Sequence, residues 1–128
     1  MAEHEEVRVL VVDDNADEAQ SLAALLELSG YVVRVAMAAT QALEQMATFG
    51  PQCVMVDIDM PGMTGLELAA ALRQRHAEDL VIIAVTGWGR EDQMLSSDFE
   101  HFDYCLRKPV DPRRLERLLP SVGGAAPA

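Results

Sequence analysis

Runs rich in Val and Ile alternate five times along the chain with segments whose apolar residues recur at helical spacing. The first run, Val7–Val12, leads into a helix with Leu22, Leu25 and Leu26 on one face and Gly30 as its stop signal. Val32–Ala36 follows, then a helix carrying Ala39, Leu43 and Met46. Its start has no side-chain acceptor, because Met37, Ala38 and Ala39 stand there. The third run is Gln52–Val56. Its helix opens Thr64-Gly65-Leu66-Glu67, the pattern in which the threonine and glutamate side chains each satisfy the other's backbone N–H. Leu80–Val85 is the fourth run, and the polar segment Arg90–Glu100 after it reads as helical. The last run, Tyr104–Leu106, is short. The closing helix begins at Asp111-Pro112, an N-cap followed by proline at the first helical position, with Leu115, Leu118 and Leu119 as its buried stripe.

Strands that read as continuous apolar runs between helices imply a parallel sheet covered on both faces, an α/β fold. Right-handed crossovers then give a doubly wound five-stranded sheet, (βα)5 in the flavodoxin-like order 2-1-3-4-5. In that order strands 1 and 3 are neighbours at the point where the winding reverses, and ligands bind there at the carboxyl ends of the strands. Asp13 and Asp14 follow the first run in "VLVVDDNAD", and Asp57 follows the third in "VMVDIDMPGMTG". The topology therefore collects three carboxylates from distant parts of the chain at one sheet edge.

A chain of 128 residues, half of them apolar, is expected to form a single domain over 1–128, with its core at about 7–119 and a flexible tail at 120–128. A net charge of −11 argues against direct contact with nucleic acid, which needs clustered cations. No apolar run is long enough to span a bilayer and no leader pattern opens the chain, so no membrane partner and a cytoplasmic location are expected. Cys53 and Cys105 form no CxxC pair and read as reduced core residues, without a zinc or redox motif.

Three carboxylates in one crevice repel one another unless a cation neutralises them. Clustered hard oxygens suit Mg²⁺ (or Mn²⁺), which binds one or two carboxylates and keeps several waters. A metal beside a carboxylate oxygen is a device for phosphoryl transfer, in which the carboxylate attacks phosphorus in line and forms an acyl phosphate. Such chemistry needs a compact cation for the phosphoryl group and a hydroxyl that can follow it. Lys108 at the end of the fifth run and Thr86 at the end of the fourth supply them. Taken singly, each residue has a plainer reading: a helix cap, a turn, a solvated lysine. Their joint placement at the ends of strands 1, 3, 4 and 5 carries the argument.

With these residues in place the sequence resembles the receiver domains of two-component response regulators, the CheY-like family, over roughly Val7 to Leu119. The resemblance rests on "VVDDN", "VDIDMPGMTGLEL", "AVTGWG" and "LRKPVDP", in the family's order and spacing. It implies that Asp57 accepts a phosphoryl group from a histidine of a partner kinase or phosphotransfer protein, and that the chain catalyses nothing beyond its own phosphorylation and dephosphorylation. Asp14 and Asp57 would be direct Mg²⁺ ligands, Asp13 would act largely through water, and the backbone carbonyl of Asp59 would complete the site. Lys108 would contact the phosphoryl oxygens and Thr86 would move to hydrogen-bond them. The switched surface would lie around the fourth helical segment, the last strand and the closing helix, and would meet a downstream protein target or a second copy. A cis Lys108–Pro109 bond is also implied.

Four positions depart from the family pattern. Cys105 stands where receivers usually carry an aromatic residue or histidine, and Tyr104 is one place early and faces the other way, so the usual aromatic switch is not expected. Asp59 and Trp88 flank the phosphoryl position and are expected to alter acyl-phosphate lifetime. His101 stands where glycine is favoured, and a left-handed backbone there would cost about 1 kcal/mol. Arg107, Arg113, Arg114 and Arg117 form a basic patch, either solvated helix surface or a docking surface for an acidic partner. Two other readings compete. Asp57-Ile58-Asp59 also resembles the opening of haloacid-dehalogenase-type phosphatases, with Asp57 as nucleophile and Asp59 as general acid, but the acidic pair precedes the motif here. A plain flavodoxin-like binding module would need a Gly-rich phosphate loop, where this chain has "DDNAD".

Overall fold

Successive residues of a buried strand point to opposite faces of the sheet, and the core divides accordingly. Val9, Val11, Cys53, Met55, Ile83 and Val85 pack in one cluster; Leu10, Val12, Val54, Val56 and Ile82 pack in another. The structure is a computed structural model that describes residues 7–58, 65–75, 80–87 and 100–119. Its strands are β1 (Arg8–Val12), β2 (Val32–Ala36), β3 (Cys53–Asp57), β4 (Val81–Thr86) and β5 (Tyr104–Arg107). The helices among the described residues are α1 (Ala16–Leu28), α2 (Ala39–Phe49), α3 (Gly65–Arg75) and α4 (Pro112–Leu118).

All four strand pairings are parallel, in the order β2-β1-β3-β4-β5. The doubly wound α/β sheet expected from the alternating runs is therefore the observed fold. Ala19 and Leu26 of α1 and Leu115 of α4 cover one face, and Ala39 and Ala42 of α2 with Leu68, Ala69 and Leu72 of α3 cover the other. None of the described helices is long and apolar enough to cross a membrane.

Helix ends follow local chemistry. Asn15 caps α1 by accepting from the Glu18 N–H at 3.1 Å, and Asp111 caps α4 by accepting from the Arg113 N–H at 2.9 Å. Ala38 caps α2 with no side-chain bond, as expected, and Gln41 partly compensates by accepting from the Met37 N–H at 2.8 Å. Gly50 ends that helix with φ +63°, and Gly30 follows α1 with φ +99°. Thr64 and all of the Arg90–Glu100 segment except Glu100 lie outside the described residues.

Two expectations are corrected. Leu25 is 37% exposed; the buried stripe of α1 is Ala19, Ala23 and Leu26. Adjacent helical residues are about 100° apart, so Leu25 and Leu26 cannot both face the sheet centrally. Cys53 is a core residue, with its thiol pushed up first by burial and then by the charge of Asp103, whereas Cys105 is exposed. It lies on β5, which closes the sheet and buries only Leu106. His101 takes its place without a left-handed backbone, since no described non-glycine residue has positive φ. Its carbonyl instead accepts from Arg73 at 2.9 Å, and Arg73 also reaches the Leu80 carbonyl and Asp103.

Candidate functional site

Strand register alone brings the first two carboxylates together. Val12 is paired with Val56, so Asp13 and Asp57 leave adjacent strands side by side. Asp57 remains paired with Val85, and the Ile58 N–H donates to the Val85 carbonyl at 3.2 Å. Asp13 donates its N–H to Ala36, and its Oδ1 accepts from the Asn15 N–H at 2.9 Å. The turn from β1 into α1 is thus held by the same residues that present the acids. One carboxylate oxygen each from Asp13, Asp14 and Asp57 lies within 4.8 Å of the others, with Asp13 and Asp57 buried and Asp14 exposed.

Lys108 approaches from the end of β5. Its N–H donates to the Thr86 carbonyl at 2.8 Å, which fixes the neighbouring strand ends in step, and the Lys108–Pro109 bond is cis. The ammonium lies 3.3 Å from Asp57, 3.8 Å from Asp13 and 2.6 Å from Glu18. Thr86 is fully buried and donates its hydroxyl to the Gly87 carbonyl at 2.8 Å. Asp59 and Trp88 lie outside the described residues.

The electrostatics follow from burial and crowding. Burial, opposed by the Asn15 N–H and Lys108 and aided by the charge of Asp57, raises the Asp13 carboxyl from 3.8 to about 6. Burial alone would lower Lys108, but the bond to Glu18 and the charges of Asp57 and Asp13 outweigh it and raise the ammonium. The donor set is all hard oxygen, and its two buried acids are relieved of repulsion by a cation. These residues fit a magnesium-type ion.

Two residues that shape the site escaped the sequence reading. A Cβ on Gly65 would stand 2.5 Å from the Ile58 Cα and 2.6 Å from the Asp57 carbonyl oxygen, so α3 starts against the backbone of the acid. Its only sequence signal is a glycine at the opening of a helix. Glu18 is visible beforehand as an acid in the first turn of the helix that follows Asp13, but its pairing with Lys108, ninety residues away, depends on topology.

Residues 9–119 match the family model described as response regulator receiver domain. The chain belongs to the response regulator receiver domains. It is 38% identical over 112 residues to the 14.6 kDa protein in the sodA1 3′ region of Leptolyngbya boryana, covering 87% of this chain and 86% of that one. It is 39% identical over 113 residues to the response regulator MprA of Mycobacterium ulcerans, covering 88% of this chain and 47% of MprA. This receiver thus spans about half the length of that regulator. The CheY-like receiver structure from Methylobacillus flagellatus superposes with a TM-score of 0.79 at 31% identity, over 89% of this chain and 96% of the other. Receivers in general transmit signals rather than turn over substrates, and the dehalogenase-type reading gives way to this family.

Proposed function

We propose that this receiver is the phosphoacceptor of a two-component phosphorelay, with Asp57 as the accepting residue and a histidine kinase or histidine phosphotransfer protein as donor. The observation that carries the reading is the convergence of Lys108 on Asp57 and Asp13 at the carboxyl edge of the sheet, at 3.3 and 3.8 Å. An Asp57 carboxylate oxygen attacks phosphorus, the bond from phosphorus to the donor imidazole breaks, and the imidazole nitrogen keeps the electron pair and takes a proton. Asp13, Asp14, Asp57 and the backbone carbonyl of Asp59 would hold Mg²⁺ or Mn²⁺. A bound cation supplies charge neutralisation for the transferring oxygens.

Lys108 is already placed to pair with a phosphoryl oxygen on Asp57. The Thr86 hydroxyl would exchange its bond to Gly87 for the new anion. That change would reach the surface around β5, α4 and the segment between β4 and β5. Beside the acids an open groove of about 530 Å³, lined by Leu22, Leu25, Val85, Pro109 and Val110, offers an apolar footing for the donor protein. The test is incubation with phosphoramidate, a small phosphohistidine mimic. One phosphoryl group per chain should be taken up with Mg²⁺. Uptake that persists in chelator, or in Asp57→Ala, rejects the reading.

A further inference from the structure

Lys108 has a partner that the phosphoacceptor chemistry does not require. Its shortest contact is not to the acids of the crevice but to Glu18 Oε1, at 2.6 Å against 3.3 Å to Asp57. Glu18 is fixed from below, because its own N–H is held by the Asn15 cap at 3.1 Å. Its side chain is 47% exposed, so the carboxylate keeps much of its hydration while it binds the ammonium.

We propose that Glu18 is a positioning residue that competes with the phosphoryl group for Lys108. The inference rests on the phosphoacceptor reading of Asp57. One ammonium has three donors, and in the unphosphorylated protein the closest of its contacts is to α1. A phosphoryl oxygen arriving on Asp57 must draw Lys108 away from Glu18 or share it. Glu18 therefore weakens the anion-bound state relative to the free one, and so limits how far the site favours phosphorylation. When Lys108 turns to the anion, Glu18 is released at the mouth of the groove formed by Leu22, Leu25 and Val110. The charge at that rim then differs between the two states.

The test is the binding of beryllofluoride, a phosphoryl mimic, with saturating Mg²⁺, read by calorimetry and by the fluorescence of Trp88, the single tryptophan. Glu18→Gln should bind about two- to fivefold more tightly, the range of a partly exposed ion pair. Glu18→Asp keeps the charge but withdraws it by one methylene, and it should behave like Glu18→Gln. A long-range charge effect would leave Glu18→Asp at the wild-type affinity and overturns the proposal. In a Lys108→Ala background Glu18→Gln should have no further effect, because a double-mutant cycle isolates the pairwise contact. The same gain in that background, or no gain in wild type, also overturns it. If wild type fails to bind beryllofluoride, the phosphoacceptor reading falls with it, an outcome distinct from binding without coupling.

Discussion

Replacing Asp13 by asparagine should stabilise the protein when no cation is present. The Asp13 carboxyl is raised from 3.8 to about 6, chiefly by burial, with the charge of Asp57 adding to it. At about 1.4 kcal/mol per unit, full ionisation of Asp13 costs the native state about 3 kcal/mol, and relaxation of the exposed Asp14 and rim water reduce the measurable share to about 1–3 kcal/mol. Between these two values the native chain binds more protons than the unfolded chain, so stability falls as pH rises. The loss begins near pH 4 and is complete above roughly pH 6. Asp13→Asn removes the charge while its Oδ1 can still accept from the Asn15 N–H, the bond seen at 2.9 Å. Urea unfolding in chelator should show the variant more stable by about 1–3 kcal/mol near pH 7.5 and nearly equal to wild type near pH 4. Saturating Mg²⁺ should remove or reverse the difference, because a cation that binds only the folded wild type adds its binding free energy. A variant that is no more stable than wild type near neutrality, or a difference that does not change with pH, refutes the reasoning.

Gly65→Ala should cost about 1–3 kcal/mol, because its Cβ would fall 2.5 Å from backbone that has no flexible end to move aside. Phosphoramidate uptake should drop with it, since the displaced backbone is that of Asp57 and Ile58, whereas wild-type melting and uptake would show that α3 can shift freely. Asp103→Ala removes the acceptor of the Ile82 N–H, at 2.8 Å, together with the Arg73 pair. A loss of about 1–3 kcal/mol is expected in denaturant unfolding, with retained Mg²⁺ binding. A loss of metal affinity instead would mean that this clasp also positions the site.

Much of this architecture is legible in the sequence, because two strong regularities govern it. Runs such as Val9–Val12 and Val81–Val85 are apolar at every position, which only a sheet covered on both faces satisfies. Asp111-Pro112 marks a helix start by chemistry that acts within three residues. Asp13 and Asp57 could be placed together beforehand because 2-1-3-4-5 is the common order of a five-stranded doubly wound sheet, and it makes strands 1 and 3 neighbours. What escaped depends on geometry finer than periodicity. The difference between Leu25 and Leu26 is a rotation of one residue. Cys105 is exposed because its strand ends the sheet, a fact of order rather than composition. The approach of Gly65 to Asp57 and the reach of Lys108 to Glu18 are contacts between segments whose spacing carries no local signal.

The central claim concerns one carboxylate. After phosphorylation in Mg²⁺, reduction with borohydride converts an aspartyl phosphate to homoserine, and tandem mass spectrometry locates that residue. Homoserine at position 57 and at no other aspartate is the predicted result. Homoserine at position 13, 14 or 59, or phosphate carried on His101, would contradict the account.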